Sequence, residues 1–188
     1  MVDLASLKDS CAKCTRCDLC KTRTNVVFGV GNPHAEIVFV GEGPGEQEDL
    51  SGKPFVGPAG KLLDDMLSII DLSRDHNCYI ANIVKCRPPK NRDPSEEEQR
   101  ACIEYLYAQL SVLNPKIIVC LGRIAAQNLI DRNFRITREH GKWVKSGGIW
   151  TTAIYHPSAL LRDVSKRPET FDDLISIRNK IIEINAKI

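Results

Sequence analysis

Four short runs of apolar and β-branched residues alternate with helical segments along the 188 residues of this chain. Their length and composition are typical of buried strands. The runs cover residues 36–41, 78–84, 117–121 and 150–155. One helix start is readable in detail, because Pro94 precedes a capping box formed by Ser95 and Glu98. The alternation predicts an α/β fold, a three-layer sandwich in which helices cover both faces of a central, mainly parallel four-stranded sheet.

Composition narrows the class of protein further. Apolar residues make up 43% of the chain and charged residues 27%, which excludes a disordered tail and an integral membrane protein. The length suits a single domain spanning residues 1–188. No apolar run reaches the length of a signal-peptide core or a membrane span. We therefore expect a cytoplasmic protein without membrane contact, whose eight cysteines do not form a disulfide framework.

The carboxyl ends of the predicted strands carry the residues best suited to chemistry. A glycine-rich turn begins at Gly41, Asn82 lies near the end of the second strand, and Gly122 and His156 follow the third and fourth. In open α/β sheets, ligands bind beyond the carboxyl ends of the strands. Glycine also lets the backbone approach a ligand closely. The sequence therefore predicts a binding site at this edge of the sheet.

Four cysteines recur at three-residue intervals near the N-terminus, at Cys11, Cys14, Cys17 and Cys20. In a reducing compartment this spacing indicates a metal or cluster site. The run fits a bacterial ferredoxin motif poorly, because its last spacing is one residue short and Lys21 replaces the expected proline. A structural zinc site with four thiolates fits the same residues.

A third arrangement combines two thiols of that run with Cys86 and Cys102. One of these follows a predicted strand and the other lies on the next predicted helix, so a cluster there would tie the N-terminal segment to the domain. Cys78 and Cys120 lie inside predicted strands, and we expect them to be buried small hydrophobic residues. The spacing alone leaves the identity of the metal open.

Three motifs follow one another in the chain. They are residues 41–57 (GEGPGEQED followed by GKPFVG), residues 82–89 (NIVKCRPP) and residues 156–162 (HPSALLR). Together they resemble the motifs of the family 4 uracil-DNA glycosylases, and the resemblance extends from about Cys14 to Arg162. It implies an enzyme that hydrolyses the N-glycosidic bond of uracil in DNA and leaves an abasic site for base-excision repair.

The resemblance also implies an iron-sulfur cofactor, a [4Fe-4S] cluster. Its implied ligands are Cys14, Cys17, Cys86 and Cys102. Glycosidic hydrolysis requires no electron, so we expect the cluster to be structural. The roles of Cys11 and Cys20 stay open.

Excision requires a pocket that reads the flipped base and stabilises the anion that leaves. The residues that the resemblance assigns to uracil binding are Gly41, Glu42, Gly43, Phe55, Asn82 and His156. Phe55 is expected to stack on the base, and the amide of Asn82 offers a donor and an acceptor to the uracil edge. His156 is expected to donate a hydrogen bond to uracil O2 as negative charge grows there.

The attacking water needs a group to hold it. The best-known uracil glycosylases have an aspartate where this motif has Gly43. Glu48 and Asn91 are the candidates to replace it, Glu48 first. The predicted catalytic residues are therefore His156, Glu48 and Asn91.

The last motif also predicts a contact with DNA. Leu160 or Leu161 is expected to wedge into the duplex where the base was, with Arg162 on a phosphate. A basic stretch at residues 85–92 is a further candidate for phosphate contact. The expected partner is uracil-containing DNA, single- or double-stranded, bound by a monomer in the nucleoid; any contact with a replication clamp stays open.

Two other functions are compatible with parts of the sequence. A relative that binds uracil-DNA without turnover would carry a basic insertion with an added histidine, and none interrupts residues 52–63. An iron-sulfur electron carrier would share the cysteines, but the ferredoxin spacing is absent and the glycine-rich edge would be unexplained.

Overall fold

The computed structural model, which describes residues 3–186, contains a single sheet of six strands in the order β1-β3-β2-β4-β6-β5. Their bounds are β1 Val30–Gly31, β2 Ile37–Gly41, β3 Tyr79–Asn82, β4 Ile117–Leu121, β5 Val144–Ser146 and β6 Ile149–Ile154. The four central strands are parallel to one another. The prediction of four strands is wrong in number, because the short strands β1 and β5 add antiparallel edges.

Eight α-helices connect and cover the strands within these residues. Their bounds are α1 Leu4–Ala12, α2 Glu46–Ser51, α3 Pro58–Ile69, α4 Glu96–Leu113, α5 Arg123–Leu129, α6 Ile136–Glu139, α7 Pro157–Arg162 and α8 Arg167–Glu183. The predicted capping box starts α4, since Ser95 Oγ accepts from the Glu98 amide at 3.2 Å and the Glu98 carboxylate accepts from the Ser95 amide at 2.7 Å. None of these helices is long and apolar enough to cross a bilayer.

Two apolar cores lie on opposite faces of the sheet, because successive strand side chains point to opposite faces. Val38 and Val40 of β2 belong to the core that contains α1, α4 and α5 side chains. Ile37 and Phe39 belong to the other core, which contains side chains of α3, α7 and α8. The predicted placement of helices on both faces is therefore confirmed.

The parallel strands bring their carboxyl ends to one edge. Gly41, the last residue of β2, lies opposite Asn82, the last residue of β3. On the other side, the amide of Gly122 donates to the carbonyl of Ile154 at 2.8 Å, and His156 follows two residues later. Gly122 has a φ of +91°, and a Cβ there would lie 2.9 Å from the His156 Cβ. This register fixes where the candidate site residues meet.

Candidate active site

A cavity of about 410 Å³ opens at the carboxyl edge of the sheet. The predicted site residues that line it are Glu42, Gly43, Glu48, Phe55, Asn82, Asn91, His156 and Arg162. A larger cavity of about 590 Å³ lies between α4 and α5, but none of the predicted site residues lines it. Residues from three motifs that are far apart in sequence thus meet at the smaller cavity.

Asn82 presents an unsatisfied polar atom at this cavity. Its side chain is 1% exposed, and its Oδ1 has no hydrogen-bond partner among residues 3–186. A buried acceptor without a partner costs about 1–3 kcal/mol. A Cβ at Gly41 would collide with Asn82 Oδ1 and lie 2.7 Å from Phe55 Cζ, so only glycine fits there. The site is therefore built to receive a donor from a ligand.

The ring of Phe55 forms one wall of the cavity, with its centroid 5.6 Å from that of the His156 ring. The backbone of Phe55 has a φ of +53°, which is unfavourable for a residue with a side chain. Arg74 holds this conformation, since its guanidinium donates to the carbonyls of Pro54 at 2.7 Å and Phe55 at 2.9 Å. Gly60 packs against the same backbone, where a Cβ would collide with the Phe55 carbonyl.

Glu48 holds the glycine-rich turn and the following loop together. One carboxylate oxygen accepts from the amides of Val56 at 2.9 Å and Gly57 at 3.0 Å, and the other accepts from the Gly45 amide at 3.1 Å. A carboxylate offers about four lone-pair positions, so one is left for a water molecule. The catalytic role of Glu48 stays a prediction.

Asn91, the second candidate for holding the water, lies at the exposed rim of the cavity. Its Oδ1 accepts a hydrogen bond from Arg87 Nε at 2.7 Å, and Arg87 in turn pairs with Glu46 at 3.4 Å. Its backbone φ is +54°, which asparagine tolerates better than most residues. Within the described residues, the side-chain nitrogen of Asn91 has no hydrogen-bond acceptor. The catalytic role of Asn91 also stays a prediction.

His156 is held in one protonation state by its neighbours. Its Nδ1 accepts from the Ser158 amide at 3.1 Å and lies 2.8 Å from the Ser158 hydroxyl. Burial and the positive charge of Arg162 lower the pKa of His156 to about 4, against a weaker opposing effect of Glu48. The imidazole is therefore neutral near pH 7, and because Nδ1 accepts, its single proton is on Nε2.

Glu42, predicted only as a uracil-binding residue, also brings an acidic side chain to the cavity whose chemistry sequence reasoning missed. Burial, together with the negative charge of Asp93, raises the pKa of the Glu42 carboxyl to about 7, and Arg123 partly opposes this. Asp93 and Arg123 are themselves paired at 2.6 Å. No signal in the sequence connects these three residues, because the fold alone brings them together.

The predicted DNA-contacting residues differ in exposure. Leu160 is 2% exposed and belongs to the core on the α3 side, so of the two leucines predicted as alternatives for the wedge it is the buried one. Leu161 is 44% exposed, and Arg162 lines the cavity. Lys85, at the start of the predicted basic stretch, is fully buried and is not part of a basic surface.

The cysteines assigned to a cluster lie in or against the core that contains the α1, α4 and α5 side chains, across the sheet from Phe55. Cys86 and Cys102 are buried, and Cys14 and Cys17 are partly buried against that core. Burial raises the pKa of Cys102, the charge and the backbone amide of Lys85 partly oppose this, and the thiols of Cys17 and Cys14 add smaller increases. Burial likewise raises the pKa of Cys86 to about 11, the hydrogen bond and charge of Arg23 partly oppose this, and Cys102 and Cys17 add smaller increases. The four cysteines therefore belong to, or pack against, one apolar core.

Other residues shape this thiol cluster. Arg23 donates to Cys86 Sγ at 3.4 Å and to the Cys14 carbonyl at 2.8 Å, and the amide of Lys85 donates to Cys102 Sγ at 3.2 Å. Cys11 is 1% exposed in the same core. Among residues 3–186, no three Cys, His, Asp or Glu side chains are grouped as they would be around a single metal ion.

The predicted burial of the two strand cysteines is confirmed. Cys78 and Cys120 are both 0% exposed. Cys78 belongs to the core on the α3 side, across the sheet from the four assigned thiols, whereas Cys120 lies in the same core as those thiols but inside β4.

Comparison with known proteins gives one family. The family model described as the uracil DNA glycosylase superfamily matches residues 28–177. A type-4 uracil-DNA glycosylase from Archaeoglobus fulgidus is 51% identical over 93% of this chain and 89% of its own length. One from Thermotoga maritima is 49% identical over 81% of this chain and 80% of its own. A type-5 uracil-DNA glycosylase from Thermus thermophilus is 34% identical over 70% of this chain and 68% of its own length.

Proposed function

Because the chain belongs to the uracil-DNA glycosylase superfamily and is similar over most of its length to type-4 members, we propose that it excises uracil from DNA at the cavity described above. The enzyme is a monofunctional glycosylase that breaks the bond between uracil N1 and deoxyribose C1′ and leaves an abasic site. The observation that carries the proposal is the buried, unpartnered Oδ1 of Asn82 beside Phe55 and His156.

Recognition of the base is assigned to Asn82 and Phe55. The uracil edge offers N3–H as a donor and O4 as an acceptor, which match Asn82 Oδ1 and Nδ2. Cytosine presents the reverse pattern, an unprotonated N3 and an amino group, so the buried Oδ1 would stay unsatisfied at a cost of about 1–3 kcal/mol. Phe55 stacks on the ring, and the backbone at Gly41 and Gly43 lies close to the base because neither residue has a side chain.

Stabilisation of the leaving group is assigned to His156. As the glycosidic bond breaks, negative charge develops at uracil O2 and the sugar approaches an oxocarbenium cation. The Nε2–H of the neutral imidazole donates to O2, and Ser158 holds the ring in the required orientation from its other nitrogen. A fixed donor in a partly buried site needs no rearrangement when the charge appears.

The water and the cation lie on the acidic side of the cavity. We assign the water to the remaining lone pair of Glu48 and to Asn91. Glu42 is suited to take up the proton of the attacking water, because its raised pKa of about 7 lies near the working pH. Negative charge on Glu42 and Glu48 also stabilises the developing sugar cation.

An iron-sulfur cluster fits the second site. The residues that would hold it are Cys14, Cys17, Cys86 and Cys102. A cluster with four thiolate ligands carries net negative charge. The Arg23 guanidinium donates to Cys86 Sγ, and the backbone amide of Lys85 donates to Cys102 Sγ, so two of the ligand sulfurs receive a hydrogen bond. When bound, it would supply a cross-link between the N-terminal segment and the sheet rather than redox chemistry.

The DNA contact is assigned to the exposed end of α7. Leu161 is proposed to occupy the gap left by the flipped base, and Arg162 to bind a flanking phosphate. We propose that residues 1–188 act as one domain and one copy per lesion, in the cytoplasm on chromosomal DNA. No feature of the described residues identifies a clamp-binding segment.

The proposed function is tested by incubating the protein with single- and double-stranded DNA that contains one uracil, followed by alkali and a denaturing gel. Strand cleavage at the uracil position is expected only after alkali. Asn82→Asp should lose most of this activity, and Lys116→Met, remote from the cavity, should retain it. Tight binding of uracil-DNA without cleavage would instead indicate a binding protein. Visible absorption of the protein separates an iron-sulfur cluster from zinc.

A further inference from the structure

Lys85 is a buried cation whose ammonium group has no anionic partner in the part of the chain that the structure describes. Its whole side chain is 1% exposed, and none of the ion pairs formed by residues 3–186 includes it. Burial of an uncompensated charge is strongly unfavourable, and such groups are normally paired or replaced. The position of Lys85 therefore requires a nearby negative charge or a specific task.

The ammonium group is fixed by two oxygen atoms. Nζ donates to the backbone carbonyl of Asn82 at 2.8 Å and to Gln109 Oε1 at 2.6 Å. Gln109 is itself fixed, because its Nε2 donates to the carbonyl of Phe28 at 2.9 Å. Asn82 is the last residue of β3, so the ammonium replaces a strand partner for its carbonyl. Lys85 thus holds the backbone of the residue whose side chain faces the cavity.

The main chain of the same residue reaches the cysteine site. The amide of Lys85 donates to Cys102 Sγ at 3.2 Å, and Cys86 is its neighbour in the chain. Five consecutive residues, 82–86, therefore run from the cavity to the thiols. A cluster at these thiols would bring the negative charge that Lys85 lacks.

We propose that Lys85 is a positioning residue through which the cluster supports base recognition: the negative charge of the cluster stabilises the buried ammonium, and the ammonium holds the Asn82 backbone so that its amide faces uracil. This inference rests on the proposed function and deepens it. It gives a cluster with no redox task a direct effect on the active site.

The first test is a double-mutant cycle on cluster-loaded protein. Single-turnover excision is measured for wild type, Lys85→Met, Asn82→Ala and the double variant. Lys85→Met should lower the rate about 10- to 100-fold, the effect of one lost hydrogen bond from a charged donor. In the Asn82→Ala background the same change should cost less than about threefold, because Lys85 acts through Asn82. If the two substitutions instead lower the excision rate by factors that multiply in the double variant, the proposal is overturned.

The second test measures the reduction potential of the cluster. A cation beside the thiolates favours the reduced form, so Lys85→Met should lower the potential relative to wild type. Lys116→Met, the same substitution at a partly exposed site paired with Glu36, should leave it unchanged. An unchanged potential in brown, folded Lys85→Met would refute the electrostatic contact with the cluster.

Two further results keep the tests decisive. If Lys85→Met does not fold, the cycle is run with Gln109→Met, which removes the second acceptor and leaves the charge; effects that multiply with Asn82→Ala would again overturn the proposal. Loaded wild type that excises no uracil would refute the proposed function, while the potential measurement would still decide the contact between Lys85 and the cluster.

Discussion

The role of His156 gives the sharpest prediction about catalysis. Removal of one fixed donor from a site that stabilises an anion typically lowers the rate about 10²- to 10³-fold. His156→Ala should therefore lose this factor in single-turnover excision and lose far less in affinity for uracil-containing DNA. His156→Gln, which can place an uncharged N–H near the same position, should recover part of the rate.

The same residue predicts how stability depends on pH. The pKa of His156 is about 4 in the folded protein, against 6.5 for an ordinary histidine. Between these values the unfolded chain binds more protons than the folded one, so stability falls as the pH drops from 6.5 to 4. The shift corresponds to about 3 kcal/mol. In His156→Gln this contribution is absent, so the acid loss of stability should be smaller by about that amount.

The assay compares urea unfolding of wild type and His156→Gln at pH 7 and pH 4.5, alongside single-turnover excision at pH 7. The wild type should lose more stability than the variant between the two pH values. Equal losses would show that the imidazole is not kept neutral by its surroundings. A folded His156→Ala protein with wild-type excision would refute its role at uracil O2.

Three other predictions concern the cluster and the cavity wall. Cys86→Ser should lose visible absorption and iron, whereas Cys78→Ala, across the sheet, should keep both; a fully loaded Cys86→Ser protein contradicts the ligand assignment. Gly41→Ala should lower excision at least tenfold while the protein stays folded by circular dichroism, because its Cβ would occupy space beside Phe55. Arg74→Met should release the strained Phe55 backbone and raise the inhibition constant of free uracil about tenfold, with Arg74→Lys intermediate; an unchanged constant would show that the ring is held by other contacts.

Much of the fold is predictable because local signals agree with tertiary packing. The central strands consist mainly of buried apolar residues, and the capping box at Ser95 and Glu98 marks the start of α4 in the sequence. The edge strands β1 and β5 have no such signal, since they contain two and three residues. These short segments are strands only because they pair with β3 and β6. That pairing depends on the tertiary fold and not on the local sequence.

The placement of Asn82 and His156 at the cavity is predictable, because each lies at the carboxyl end of a parallel strand and within a motif shared with the family. The role of a residue is not predictable from the sequence where it depends on how deeply the side chain is buried. Lys85 was assigned with the basic stretch at residues 85–92 because a sequence shows charge and not depth, and Leu160 was paired with Leu161 for the same reason. Glu42 acquires its raised pKa from residues that the sequence places far away.

The sheet separates the two sites, and β3 with the residues after it forms one connection between them. Phe55 belongs to the core on one face and the cysteines Cys86 and Cys102 to the core on the other. After Asn82, the amides of residues 83 and 84 continue the ladder by donating to the carbonyls of Gly41 and Glu42 at 2.9 and 3.0 Å. The glycine-rich turn and the base-reading residue are thus fixed to the segment that leads into the thiols. A loss of the cluster would therefore loosen both walls of the cavity at once, even though, within residues 3–186, no side chain that lines the cavity donates a hydrogen bond to a cysteine assigned to the cluster.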